Sequence, residues 1–372
     1  MSRPKNYVNH HVQPAQQGKA LAAVLREFMP DKSWNQVKKL ITARQIQVNG
    51  NLCLEEARKV KSGDVIQVWQ HPLAPPADER SVKIRFADQH LVIIEKPAGI
   101  TTLRHAEERN WSADRKRRQP TLDELVPRAL ARHLGWNLDE QPRPKTPQRG
   151  RREHRHQQRS GPQLPPIRAV HRLDRDTSGL MVFARTQQAE TALIRLFSKH
   201  RIERAYLAVV YGRPEAGKIE TMLVRDRGDG LRGSVIERAR EDSAVADVPL
   251  SPEYRGEGED QEQEAQQAIT HIKPLEVIGD YSLIECKLET GRTHQIRIHL
   301  SERGHMLCGE KTYTHPLGEK PQHDTSGAPR QALHAAVLGF IHPSTGETLS
   351  FKSTLPADLQ QWLQRLKQQP RP

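Results

Sequence analysis

The sequence has few aromatic residues, few cysteines and no long apolar run. Phe, Trp and Tyr make up 5% of the 372 residues and hydrophobic residues 35%. The length allows one sizeable core and a small accessory domain, so polar insertions must dilute that core. No apolar stretch approaches the roughly 20 residues that cross a bilayer. The N-terminal "MSRPKNYVNHHVQPAQQ" lacks the apolar centre of a secretory signal and reads as a flexible arm over residues 1–17. Cys53, Cys286 and Cys308 lie far apart with no CxxC pairing. They support neither a disulfide framework nor a zinc knuckle, and they fit a reducing, cytoplasmic setting. The patterns GxxxxGKS/T, GxGxxG after a strand and HExxH are absent. Nucleotide hydrolysis, dinucleotide redox and zincin chemistry therefore lack their signatures.

Positive charge is in excess. Lys and Arg total 58 against 45 Asp and Glu, for a net charge of +13. That balance favours a polyanionic partner, nucleic acid first and an anionic membrane second. Much of it sits in "QPRPKTPQRGRREHRHQQRSGPQLPP", which has almost nothing apolar and reads as a disordered basic insertion over 141–165. His154 and His156 belong to that solvated segment, with no cysteine nearby to make them metal ligands.

Periodicity organises the rest. In "ALAAVLREFM", Leu21, Val24, Leu25 and Phe28 recur at helical spacing. A second helix opens at Ser33 as N-cap and places Trp34, Val37, Leu40 and Ile41 on one face. "QIQVNG" alternates like a strand and closes on an Asn49-Gly50 turn, and "GDVIQVW" is a further strand. This block, 18–70, ends in a proline-rich linker over 71–80. Lys38, Lys39 and Arg44 fall off the apolar stripe. On charge alone they are a solvated helix face; in an RNA-binding module they are cations matched to phosphates. Beyond the linker, "SVKIRFADQHLVIIEKPAGITT" gives two strands, and "TLDELVPRALARHLG" a helix interrupted near Pro127. "GLMVFART", "RAYLAVVYG" and a hairpin turning at Gly279-Asp280 supply further strands. Thr186 caps a helix over "TQQAETALIRLFSKH", and an acidic insertion occupies 252–267. Irregularly alternating strands with few helices indicate an α+β domain around a mixed, mainly antiparallel sheet, over 81–365.

Two runs are dense in charge. In "AVHRLDRDTSGL", Asp176-Thr177-Ser178-Gly179 has turn chemistry. Asp174, flanked by Arg172 and Arg175, reads in isolation as one member of a structural ion-pair network. In "LETGRTHQIRIHLSERGH", Gly291 sets a turn and Thr293 is a candidate cap. "HQIRIHLSERG" favours a short helix, although its alternation also permits a strand. His294 and His299 lie five apart, which suits no helical metal pair. Arg292 and Arg297 are cations for RNA or for a carboxylate.

"HRLDRDTSGL", "AYLAVVYG" and "TGRTHQIRIHL", in this order, resemble the RluA-type pseudouridine synthases, and the block from Gly18 resembles the S4 RNA-binding domain. The resemblance runs from Gly18 to about Leu363, outside the two insertions. It implies Asp174 as the catalytic aspartate, Tyr206 as the tyrosine that stacks on the target base and Arg297 as the partner of the carboxylate. Arg172 matches a position that rearranges RNA around the target, and Leu333 and His334 match the last core motif. The family usually shows Asp at the position of Glu310, a change expected to affect a loop and not chemistry.

The implied reaction turns uridine into pseudouridine with no net redox change and no group carried away, so no cofactor or metal is expected. The implied partner is RNA, ribosomal RNA of the large subunit first and tRNA second, with no membrane and no obligate protein partner. An inactive RNA-binding factor and an N-glycosidase are the competing readings.

Overall fold

The computed structural model describes residues 7–48, 51–70, 77–104, 108–136, 138, 164–227, 231–235, 265–317 and 320–368. The Asn49-Gly50 turn, residues 71–76 of the linker, 141–163 of the basic insertion and 252–264 of the acidic one lie outside them. The chain divides into two compact units, Met1–Pro76 and Ala77–Pro372.

The first unit holds strand β1 (Tyr7–His11), helices α1 (Leu21–Phe28) and α2 (Trp34–Thr42), and strands β2 (Ile46–Val48), β3 (Asn51–Leu52) and β4 (Val65–Trp69). The strands form one sheet in the order β1-β4-β2-β3. Leu21, Val24 and Leu25 of α1 and Val37 and Ile41 of α2 are buried against Ile46, Val48 and Ile66. Ser33 caps α2, accepting from the Gln36 amide while Gln36 returns a bond to the Ser33 N–H.

Two expectations change in this unit. Residues 7–11 are an edge strand paired antiparallel with β4, and Tyr7 packs its ring 4.6 Å from Trp69. A polar segment suits that place, because pairing satisfies the backbone of β4 while the outer face stays wet. Trp34 is exposed, since it opens α2 and the buried stripe starts one turn later at Val37.

The second unit contains β5 (Lys83–Ala87), β6 (Leu91–Lys96), α3 (Ala113–Arg118), α4 (Leu122–His133), β7 (Arg168–Ala169), β8 (Ser178–Ala184), α5 (Gln187–Ser198), β9 (Glu203–Tyr211), β10 (Gly217–Val224), β11 (Gly233–Ser234), β12 (Gln266–Ile278), β13 (Tyr281–Leu288), α6 (Gln295–Glu302), β14 (Leu333–Ile341), β15 (Thr348–Lys352) and α7 (Ala357–Gln368). An 11-stranded sheet runs β11-β10-β12-β13-β9-β14-β8-β6-β5, with β15 on β14 and β7 on β8. Among the described residues every pairing in this sheet is antiparallel except β14 with β8.

That parallel pair explains the glycine of "DTSG". Gly179 has φ +121°, and a Cβ there would lie 2.2 Å from the Ala335 carbonyl oxygen, so only glycine lets the two strands meet. Thr186 caps α5 by accepting from the Ala189 amide. α4 runs through Pro127 without interruption, because Leu122, Leu125, Val126 and Leu130 are buried against the sheet. That burial outweighs the one helical N–H that proline lacks.

α6 is buried along its whole length. Its polar side chains are therefore bonded internally. Gln295 bonds Thr290, Thr270 and the Ile269 carbonyl, and His299 bonds Thr221 and Thr270. Glu302 bonds Ser234. Among the described residues no helix is long and apolar enough to cross a membrane.

Candidate active site

The turn between β7 and β8 carries Asp174, and it is tied down from three sides. Thr102 Oγ1 donates to the Leu173 carbonyl at 2.8 Å and accepts from the Leu173 amide at 3.2 Å. Gln331 Nε2 donates to Thr177 Oγ1 at 2.7 Å, and the Arg330 guanidinium bonds the Asp176 carbonyl and Ser178 Oγ. Beneath the turn lies Lys96, 1% exposed. Its ammonium donates to the carbonyls of Pro97, Arg175 and Thr177 at 3.1, 2.8 and 2.8 Å, which uses all three of its hydrogens. Burial pushes the Lys96 ammonium down to about 7, against the fields of Asp176 and Asp174. The side chains of Thr177 and Ser178 thus bond across to residues 330–334 rather than within a local turn.

Arg297 projects from α6 to this turn. Its Nη1 donates to Asp174 Oδ2 at 3.3 Å. Its closer contacts go to Glu310, Nε to Oε2 at 2.8 Å and Nη2 to Oε1 at 2.7 Å. Glu310, 4% exposed, also accepts from the amides of Lys311 and Thr312 at 2.9 Å each. Burial opposes the charge of Arg297, but the hydrogen bonds and field of Glu310 outweigh it and hold the guanidinium firmly protonated. Burial likewise works against the Glu310 carboxylate, and Arg297 with the backbone amides holds its pKa below the usual range. The expectation that Glu310 concerns only a loop is corrected. It is the bidentate partner of the arginine that faces Asp174, and sequence distance hid the contact.

His294 is a second neighbour the sequence did not assign. Its Nε2 lies 3.7 Å from Asp174 Oδ1 and its Nδ1 2.7 Å from the Tyr313 hydroxyl. Burial lowers its pKa, more than the nearby Asp174 raises it. Rather than Thr293, His294 occupies the N-cap of α6, in a left-handed conformation (φ 60°) without a side-chain cap. Gln295, the first residue of α6, ties the preceding turn to the helix: its Oε1 accepts from the Arg292 amide at 3.0 Å, and its own amide donates to the Arg292 carbonyl.

A cavity of about 490 Å³ opens over these groups, lined among others by Arg172, Asp174, Tyr206, Arg292, Arg297 and Leu333. Six expected site residues separated by up to 161 positions in sequence thus share one concavity. Tyr206 stands on β9 with its ring buried, and burial raises its hydroxyl pKa. Arg172 is exposed at the rim, and Arg292 is tethered by Nε to the Gln267 carbonyl at 3.0 Å. Lys38, Lys39 and Arg44 belong to the other unit, on α2 and just after it. Lys38 pairs with Glu56 at 3.2 Å there, and Lys39 is exposed. No group of three His, Cys, Asp or Glu among the described residues is placed to hold a metal.

Residues 90–302 match the RNA pseudouridylate synthase family, and residues 21–66 match the S4 domain. The chain belongs to the RNA pseudouridylate synthase family. A ribosomal large subunit pseudouridine synthase D from Neisseria meningitidis is 32% identical over 360 residues, covering 94% of this chain and 79% of that protein. One of the same description from Zymomonas mobilis is 31% identical over 351 residues, covering 92% and 90%. In fold, the synthase resembles the human RNA pseudouridylate synthase domain containing 4 structure. The TM-score is 0.51 at 21% identity, over 78% of this chain and 95% of that one.

Proposed function

We propose that this synthase isomerises specific uridines of large-subunit ribosomal RNA to pseudouridine, with Asp174 as the reacting carboxylate. The carrying observation is the cavity itself. Asp174 is the one carboxylate among its described lining residues, facing Tyr206 and Arg297 and ringed by Arg172, Arg204 and Arg292. The ribosomal assignment follows the relatives, whose names specify the large subunit, together with the S4 match.

In the reaction the bond from ribose C1′ to uracil N1 breaks, the base turns, and a bond from C1′ to C5 forms. C5 loses a proton and N1 gains one, so atoms and electrons balance without an external reagent. An ionised Asp174 serves as nucleophile or base while the sugar–base bond weakens. Arg297 orients it through Oδ2. Tyr206 offers a flat apolar face to the extruded base. Unstacking that base costs roughly a few kcal/mol, offset by cationic contacts from Arg172, Arg292 and the S4 unit's Lys38, Lys39 and Arg44.

Carbodiimide mapping of pseudouridine across total RNA, from cells with and without the gene, tests the substrate. Loss of sites in large-subunit RNA supports the proposal; loss confined to tRNA, or no loss, overturns it. Purified Asp174→Asn is expected to make no pseudouridine while binding RNA as the wild type does. Retained modification removes Asp174 from its role.

A further inference from the structure

Arg204 lines the same cavity, yet no role in the reaction described above uses it. It stands two residues before Tyr206 on β9, so the two side chains leave the same face of the sheet, about 7 Å apart along the strand. That is the scale of one nucleotide from base to phosphate. Its Nη2 donates to the Glu289 carbonyl at 2.8 Å, and its guanidinium stands 5.5 Å from the centre of the Phe197 ring. Its Nε is buried and has no acceptor. No carboxylate pairs with it among the described residues, and burial weighs against its cation.

A half-buried guanidinium with no carboxylate beside it is costly unless an anion approaches its open edge. Of the unit's other buried arginines, Arg104 pairs with Glu124 and Arg297 with Glu310, and Arg185, which also has a buried Nε without an acceptor, does not line the cavity. Space is also kept for Arg204. A Cβ at Gly291 would lie 2.6 Å from its Nη1, so the glycine of "TGRT" is what lets the guanidinium lie where it does. Gly291 has no left-handed φ to explain it. Around Arg204 the lining adds Arg172, Arg292 and His200, with Asp174 as the lone acid.

We infer that Arg204 is a phosphate-binding residue of the synthase, seating a backbone phosphodiester of the bound RNA beside the base held on Tyr206. The inference rests on the reading of RNA as substrate. A phosphate in the cavity can accept from Nη1, which has no acceptor among the described residues, through a charge-assisted bond that also offsets the burial of the cation.

The test measures binding of a large-subunit ribosomal RNA transcript as a function of salt, in an Asp174→Asn background so that nothing turns over. Each phosphate contact contributes about 0.7 to the slope of log K against log salt on single-stranded RNA. Arg204→Met is expected to flatten the slope by about that amount and to weaken binding roughly tenfold at 0.15 M salt. Arg204→Lys keeps the slope. Gly291→Ala leaves Arg204 in the chain but displaces its guanidinium, and is expected to weaken binding similarly, with the double variant no worse than Arg204→Met alone.

Weaker binding with an unchanged slope overturns the phosphate assignment in favour of a neutral contact to the base or a packing role. Unchanged binding in both Arg204→Met and Gly291→Ala overturns it outright. If Arg204→Met does not fold, the Gly291→Ala slope decides. A wild type that makes pseudouridine while all slopes agree refutes this inference alone; one that neither binds nor modifies RNA refutes the reading of the substrate as well.

Discussion

Replacing Glu310 by glutamine tests how the site is held together. Glu310 Oε1 accepts from Arg297 Nη2 and the amides of Lys311 and Thr312, while Oε2 accepts from Arg297 Nε at 2.8 Å. Glutamine can keep one oxygen for those amides. Its NH2 then meets the Arg297 Nε–H donor to donor, and a buried guanidinium loses its bidentate partner. Breaking a buried pair from one side costs about 3–5 kcal/mol. With roughly 2 °C per kcal/mol for a unit of this size, the melting temperature falls by about 6–10 °C. Glu310→Asp keeps the charge but shortens the reach by one methylene, so it is expected to lose about 1–2 kcal/mol.

Activity separates this from bulk destabilisation. Below its melting point Glu310→Gln frees Arg297 to move relative to Asp174, so the single-turnover rate of pseudouridine formation falls about 10–100-fold, while Glu310→Asp retains most of it. The assays are thermal melts and single-turnover tritium release from RNA labelled at uridine C5. A Glu310→Gln protein that melts within 1 °C of wild type and turns over at the same rate would falsify the view that Glu310 positions Arg297.

Two further predictions follow from buried groups. Lys96→Met preserves volume but strands the carbonyls of Pro97, Arg175 and Thr177. The expected loss is about 3 kcal/mol in chemical denaturation, with slower turnover because Arg175 and Thr177 flank the Asp174 loop; a stable, fully active variant refutes it. His299 and His334 are buried and held neutral, both pushed down to about 4 by desolvation. The unfolded chain binds protons at these positions near pH 6.5 while the folded chain does not until about pH 4. Their contribution is therefore fully present above pH 6.5 and is lost as pH falls toward 4. Near pH 5 the slope is about 2.4 kcal/mol per pH unit for the pair. Denaturation curves between pH 7 and pH 4 check this, and a double variant with glutamine at both positions is expected to be less acid-sensitive; an unchanged slope sinks the assignment.

Much of the molecule was legible in one dimension because local rules govern it. Ser33 and Thr186 cap their helices as the residue order indicated, since capping involves contacts three residues apart. The alternation in "RAYLAVVYG" became β9, and Gly279-Asp280 separates β12 from β13. α6 was ambiguous for a physical reason. Ile296, Ile298 and Leu300 alternate like a strand, but the helix is buried on every side, so no polar face exists to reveal its period.

The N-terminal strand β1 is hidden in the sequence for a related reason. Polar Tyr7–His11 earns its strand from the unpaired edge of β4 rather than from its own pattern.

What the sequence by itself determined is the kind of chemistry: motif residues Asp174, Tyr206 and Arg297, an excess of cations, and two units of the right pattern. Which groups surround Asp174 was decided by tertiary structure alone. Glu310, His294, Lys96 and Arg204 reach the site from separate elements, through α6, β6, β9 and the loop after α6. Side-chain contacts across a sheet depend on register and on which elements pack over it, and neither quantity is written in the spacing of residues along the chain.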